Sequence, residues 1–187
     1  MFKVFDQHLK TINRLLIIAI VLLNGYVLFM PLLPAAKYKI VKATTKPVED
    51  FSTIDRSSDR LLIPSLRLEE KVFYGQDGSL VNKGIWHRPN TVTPDKSGNA
   101  VFVGHRFTYA DASVFYNLDK VKTGDKLVAV WQGKIYVYKV TETKVVPADA
   151  VQIEGQTSDT RLTLYTCEPL WSTKNRLVVT GTLEKIL

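Results

Sequence analysis

The chain has 187 residues, 45% of them hydrophobic, enough for one domain with a core plus an appendage. Its formal net charge of +7 is unevenly placed: residues 1–46 hold seven Lys/Arg and one Asp, leaving eighteen Lys/Arg against seventeen Asp/Glu in residues 47–187. A folded part this close to neutral excludes a nucleic-acid binder, and the basic leading segment suits anionic lipid headgroups as its partner.

Residues 1–14 read as a short tail. Leu15 to Leu33 are nineteen positions without a charge, interrupted only by Asn24, Gly25 and Pro31, long enough to cross a bilayer as one transmembrane helix. A cleavable signal peptide is the rival, because Leu33-Pro34-Ala35-Ala36 offers small residues, but signal cores are shorter than this run and a signal anchor is preferred. Lys3, Lys10 and Arg14 precede the span while Lys37, Lys39, Lys42 and Lys46 follow it, so the positive-inside count leaves the orientation open. Residues 34–59 are polar, basic and punctuated by Pro47, without a sustained apolar period, and read as a stalk. The folded part is expected over residues 60–187.

Short β-like runs follow at Leu61–Ile63 and Lys71–Tyr74. His87, in Gly84-Ile85-Trp86-His87-Arg88-Pro89, is expected in a proline-containing turn. A strand at Ala100–Val103 runs into Gly104-His105-Arg106, where the glycine allows a sharp change of direction and leaves an imidazole at the strand end. Ser113 to Val121 reads as a short helix. Leu127–Trp131 and Lys134–Val140 flank Gln132-Gly133 as a two-residue hairpin, and Thr143–Val146 is a further strand. In Arg161 to Cys167, period-two alternation puts Leu162, Leu164 and Thr166 on one face and Thr163, Tyr165 and Cys167 on the other. Glu168 to Asn175 contains Pro169 and reads as a loop, and Arg176 to Leu183 as the returning strand. The class is all-β, a closed barrel, which protects sheet edges and holds side chains from different strands around one groove.

If the last two strands pair as a hairpin, Cys167 and Arg176 become neighbours. A lone cysteine is more often a small buried hydrophobe than a catalyst. Here, however, an imidazole and a guanidinium also end strands. The thiolate is the nucleophilic form of cysteine, a nearby cation favours it, and an imidazole can return a proton to a leaving amine. Arg176 adds a permanent charge where an oxyanion would form. His87 is the rival base. Thr166, Glu168 and Trp171 are candidate substrate contacts. The backbone N–H of Glu168 can face an oxyanion, and its carboxylate either attracts a cationic amine or is merely solvated. Trp171 either lines a groove or anchors its loop. No metal or cofactor is expected, because His8 lies beyond the membrane segment and His87 with His105 form no compact ligand spacing.

The string Thr163-Leu164-Tyr165-Thr166-Cys167, followed by Pro169 and Arg176-Leu177-Val178-Val179, resembles the active-site signature of the sortases, membrane-anchored cysteine transpeptidases. Leu62-Ile63-Pro64, Gly98 to Arg106, and Phe115 to Lys126 with Leu118-Asp119 and Gly124-Asp125 extend the resemblance over about residues 60–185. It implies an eight-stranded barrel, Cys167 as nucleophile, His105 as general acid and base, and Arg176 as the group that positions substrate and stabilises the oxyanion. It also implies a cytoplasmic tail and an extracellular domain. The implied partners are surface proteins carrying a C-terminal signal of the Leu-Pro-X-Thr-Gly type and an amine acceptor from a cell-wall precursor or a pilin lysine. The short loop between Cys167 and Arg176 resembles class E, then pilin-forming class C, rather than class A; class E suggests Leu-Ala-X-Thr-Gly. No Asp-Pro-aromatic lid motif precedes Leu61, although Val48 to Asp59 is long enough to fold over the groove. Two other readings stand beside this one. The first is a tethered β-domain that only binds a partner. The second is a different cell-wall thiol enzyme, disfavoured because His105 precedes Cys167 and no His-Gly-Cys cluster occurs.

Overall fold

The computed structural model describes residues 2–109 and 113–187; Met1, in the expected tail, lies outside them. Helix α1 (Phe2–Phe29) and helix α2 (Leu33–Thr44) are joined by a single 3-10 turn, Met30–Leu32. Pro31 and Pro34 sit in the first turns of the segments that follow α1, where the missing N–H costs nothing. The run Gln7–Thr44 is long and apolar enough to cross a membrane and contains all of Leu15–Leu33. Helix continues eleven residues past Leu33, into the stretch expected to be stalk.

The rest is a closed barrel of eight strands: β1 (Arg60–Ile63), β2 (Leu68–Phe73), β3 (Ile85–His87), β4 (Asn99–Val103), β5 (Lys126–Trp131), β6 (Lys134–Pro147), β7 (Arg161–Glu168) and β8 (Asn175–Ile186). Around the barrel they run β1-β2-β3-β4-β7-β8-β6-β5, and β5 pairs back to β1. The pairs β2–β3 and β4–β7 are parallel and the others antiparallel. The all-β closed barrel is therefore as the sequence leads one to expect. The β5–β6 hairpin turns on Gln132 at φ 48° and Gly133 at φ 76°, the two positive values a primed turn needs. The two runs Lys134–Val140 and Thr143–Val146 are one strand, β6, with a register shift between Val140 and Glu142 where it switches neighbours along β8.

Two expectations differ. His87 ends a strand, β3, not a turn, because Trp86 and His87 pair with Val103 and Phe102 across the ladder. Ser113 to Val121 makes turns and one 3-10 helix, Leu118–Lys120, rather than an α-helix; Phe115, Leu118 and Val121 bury at a spacing of three, which the tighter helix satisfies.

The barrel interior holds Leu61, Ile63, Phe102, Leu127, Tyr138, Leu162, Leu164 and Val179 among its buried side chains. A second cluster lies on the outside, where Leu62, Val128, Val130, Ile135 and Val137 project from β1, β5 and β6. Phe51 and Ile54 cover it. Asp50 caps the 3-10 turn Phe51–Thr53 through the Ser52 N–H at 2.9 Å, and Asp59 accepts from the Gln132 N–H at 2.8 Å. Residues 48–59 thus cover the β1–β5–β6 face and do not fold over the ends of β7 and β8. The period-two pattern of β5 and β6 is real, but both faces are buried, which is why their apolar runs look continuous. Phe51→Ala should lower stability by about 1–2 kcal/mol, below the range for a fully buried phenylalanine, as read from denaturant midpoints of the full chain in detergent.

Candidate active site

Strand β7 delivers the thiol. Its antiparallel register with β8 pairs Thr166 with Leu177, Cys167 with Arg176 and Glu168 with Asn175. Leu162 and Leu164 point to the core, so Cys167, on the opposite face with Thr163 and Tyr165, looks outward and is half-buried. The Arg176 Nη1 lies 3.8 Å from Cys167 Sγ. The same nitrogen donates to the carbonyls of Thr173 at 2.9 Å and Asn175 at 3.0 Å, which fix the guanidinium from its own loop.

Strand β4 delivers the imidazole. It runs parallel to β7, with Val103 beside Tyr165, and Gly104 N–H still bonds the Tyr165 carbonyl at 3.4 Å. Continuing that register sets His105 beside Cys167. The Thr166 hydroxyl donates to the Gly104 carbonyl at 2.8 Å and is 1% exposed, so this side chain ties the histidine segment to β7 from the core side. Gly104 is required for a different reason from the one expected. Its φ is ordinary, but a Cβ there would lie 2.5 Å from Val114 and 2.8 Å from Phe115, so it allows close packing rather than a sharp turn. His105 Nε2 bonds the Asn82 Oδ1 at 2.8 Å. An oxygen only accepts, so Nε2 is the donor in this contact and Nδ1 is the ring nitrogen left unengaged by Asn82.

Arg106 and Glu168, the residues just after His105 and Cys167, form an ion pair with each other. Arg106 is 6% exposed, and its other nitrogen reaches Asp119 at 3.2 Å. The Glu168 carboxylate is therefore engaged by Arg106. Trp171 is 60% exposed in the β7–β8 loop, packed on Phe107 with ring centroids 4.3 Å apart and the ring planes tilted by 52°. Beside the thiol, Tyr165 donates to Glu154 at 2.6 Å, and Glu154 holds Arg88 through both carboxylate oxygens at 2.9 and 3.1 Å. Burial and that hydrogen bond push the Tyr165 hydroxyl well above its usual pKa.

His87 is remote from this group. It is 2% exposed, packed against Phe102, Trp131 and Tyr74, with Nε2 donating to the Val92 carbonyl at 2.9 Å and Nδ1 without a partner among the described residues. Burial lowers its pKa. Among the candidates, then, Cys167, His105 and Arg176 come together at one end of the barrel, with Glu168 at their side, Thr166 beneath and Trp171 at the loop edge. Sequence reasoning missed Asn82 and Arg106. Asn82 lies 23 residues before its partner in a 3-10 turn, Gly78–Asn82, and carries no local signal. Arg106 was visible only as a neighbour of His105.

A model of the sortase domain matches residues 61–184 of the chain. Sortase A of Listeria monocytogenes is 32% identical over 128 residues, 67% of this chain and 55% of that protein; sortase D of Bacillus subtilis is 30% identical over 129 residues, 68% of this chain and 60% of that one. The chain thus aligns with less than two thirds of the length of these relatives. The solved structure of Listeria monocytogenes sortase A superposes with a TM-score of 0.60 at 31% identity, over 71% of this chain and 90% of that chain. Sortase C-1 of Actinomyces oris gives 0.64 at 28% identity, over 71% and 76%. The chain belongs to the sortase family. Its relatives carry the labels A, C, D and E, so the likeness defines the family and not a class within it.

Two outcomes follow from the geometry. Glu168→Ala removes one partner of a buried guanidinium and should cost about 1.5–3 kcal/mol in thermal or denaturant unfolding. The unfolded chain protonates His87 at about 6.5, above the folded value, so its contribution to stability is complete above that pH and is lost as pH falls below it. Between about pH 7.5 and 5.5 the unfolding midpoint of the native chain should therefore drop more than that of His87→Gln.

Proposed function

We propose that this protein is a membrane-anchored cysteine transpeptidase, with Cys167 as nucleophile, His105 as general acid and base, and Arg176 as the charge that positions substrate and stabilises the oxyanion. The observation that carries this reading is the Arg176 guanidinium, held by two backbone carbonyls and aimed at Cys167 Sγ from 3.8 Å. A fixed cation beside a thiolate favours the attacking species and needs no reorganisation when charge moves to the carbonyl oxygen.

In the proposed cycle Cys167 passes its thiol proton to His105 as Sγ bonds to the carbonyl carbon of the signal peptide and the C=O electron pair moves onto oxygen. The oxyanion collapses to a thioester as the C–N bond breaks, and His105 gives a proton to the departing amine. A second amine then attacks the thioester and passes its proton to His105; the C–S bond breaks with its electron pair on sulfur, and His105 returns the proton to Sγ, restoring Cys167. Asn82 supports the role of His105 by holding Nε2–H, so that Nδ1 is the nitrogen available for proton transfer. Trp171 is proposed to border the substrate groove.

The proposed donors are surface proteins with a Leu-Pro-X-Thr-Gly or Leu-Ala-X-Thr-Gly signal, the latter if the short Cys167–Arg176 loop marks a class E-like member. The acceptor is an amine of a cell-wall precursor or a pilin lysine. Residues 1–14 are proposed as cytoplasmic and 15–33 as the single membrane span, with the barrel on the extracellular face. The apolar run Gln7–Thr44 supports the span.

The full chain in detergent, incubated with each signal peptide with and without an added amine, should gain the mass of an acyl group on Cys167 and lose it to the amine. Cys167→Ala should show neither. Arg176→Ala should slow acylation roughly 10²–10³-fold, the usual cost of an oxyanion donor, without loss of fold by circular dichroism. A folded native chain that forms no adduct and cleaves neither peptide would return the assignment to a binding domain.

A further inference from the structure

We infer that the loops beside the thiol form a membrane-docking surface: Phe107, Tyr109 and Trp171 seat at the boundary between the headgroup layer and the acyl chains of an anionic bilayer. This rests on residues 15–33 being the membrane span.

The first argument is one of depth. The Tyr109 ring lies 6.3 Å from that of Tyr26, on α1. Tyr26 is seven positions before Leu33, the last residue of the uncharged run, which at 1.5 Å per residue is about 10 Å along the helix. Nineteen helical residues span roughly 28 Å, the thickness of the hydrocarbon core, so Leu33 marks its edge. A ring centred 6.3 Å from that of Tyr26 has therefore passed the level of Leu33 and reached the outer hydrocarbon, just beneath the headgroups.

The barrel is also held against the helix at further points. The Tyr116 hydroxyl donates to the Pro31 carbonyl at 3.4 Å, and the Lys120 ammonium sits 4.0 Å above the Tyr38 ring of α2. Between helix and loop an open groove of about 600 Å³ is lined by Met30, Leu33 and Ile40 on one side and Phe107 and Tyr109 on the other. At that depth an acyl chain fits it better than water does.

The chemistry of the surface agrees. Tyr109 is 43% exposed and Trp171 60% exposed, and both pack on Phe107. Tyrosine and tryptophan with one face open are the residues that favour the membrane–water boundary. Lys37, Lys39 and Lys42 stand exposed on α2 just above it, where they attract anionic headgroups. Trp171 follows Cys167 by four residues, so docking would hold the thiol one loop's length from the lipid.

Tryptophan emission tests this directly, because Trp86 and Trp131 are buried and Trp171 alone of the three is exposed. The full chain would be reconstituted in vesicles of phosphatidylcholine and phosphatidylglycerol whose acyl chains carry bromine near the carbonyl end. About a third of the emission, the share of one tryptophan in three, should be quenched, and the quenching should vanish in Trp171→Phe. Tyr26→Trp in the Trp171→Phe background reports on the span. If that variant is quenched while the native chain is not, or if Trp171→Phe is quenched as much as the native chain, the span stands and docking is overturned. If neither position is quenched, the span itself fails and docking falls with it.

Discussion

The pairing of β7 with both β8 and β4 is the constraint on which the site depends. The antiparallel ladder from Arg161–Thr182 to Glu168–Asn175 sets Cys167 against Arg176, and the parallel ladder from Asn99–Arg161 to Val103–Tyr165 brings the His105 segment to the same end. A slip of one residue in either would send the thiol to the barrel interior and Thr166 outward. Burial of Leu162 and Leu164 inside the barrel forbids that slip, since it would expose two leucines and bury the larger, hydrogen-bonded Tyr165. The hydrophobic core thus fixes which face carries the chemistry.

Polar contacts then hold what the register has brought together. Thr166 bonds the Gly104 carbonyl from below, Asn82 holds His105 from the side, and the Arg106–Glu168 ion pair closes the outer edge. The ion pair joins the residues that directly follow His105 and Cys167, so relative movement of the two strand ends would strain it first. Its charges are partly desolvated, and an unpaired guanidinium there would cost far more than the pair contributes. These contacts act as alignment devices, and most of the stability of the fold comes from the apolar core.

The N-terminal region serves the barrel at two places. Phe51 and Ile54 cover the outer apolar cluster of β1, β5 and β6, leaving those strands buried on both faces. Further back, Tyr38 packs against the main core and the 3-10 turn after α1 meets Tyr116. A domain tethered by a flexible stalk would sample all orientations above the lipid, whereas a helix that runs on to Thr44 and packs against the barrel restricts them.

Much of this was legible in one dimension. The uncharged run, the alternation in β7, the Gln132-Gly133 turn and the meeting of Cys167 with Arg176 all follow from local periodicity and turn chemistry, which depend on neighbours in the chain. The sequence could only rank His105 above His87, and packing separates the two: His105 lies two residues past the end of β4 beside Asn82, while His87 is buried under Tyr74 and against Trp131. The residue that orients His105, the clasp between segments 62 residues apart, the strand at Ile85–His87 and the cover from Phe51 left no mark in the sequence pattern. Each exists only because barrel closure brings distant segments together, and a period read along the chain contains nothing about which distant segment arrives. The sequence alone therefore determined the chemical groups and most of the elements, and the tertiary structure decided the rest, which groups meet and what holds them in place.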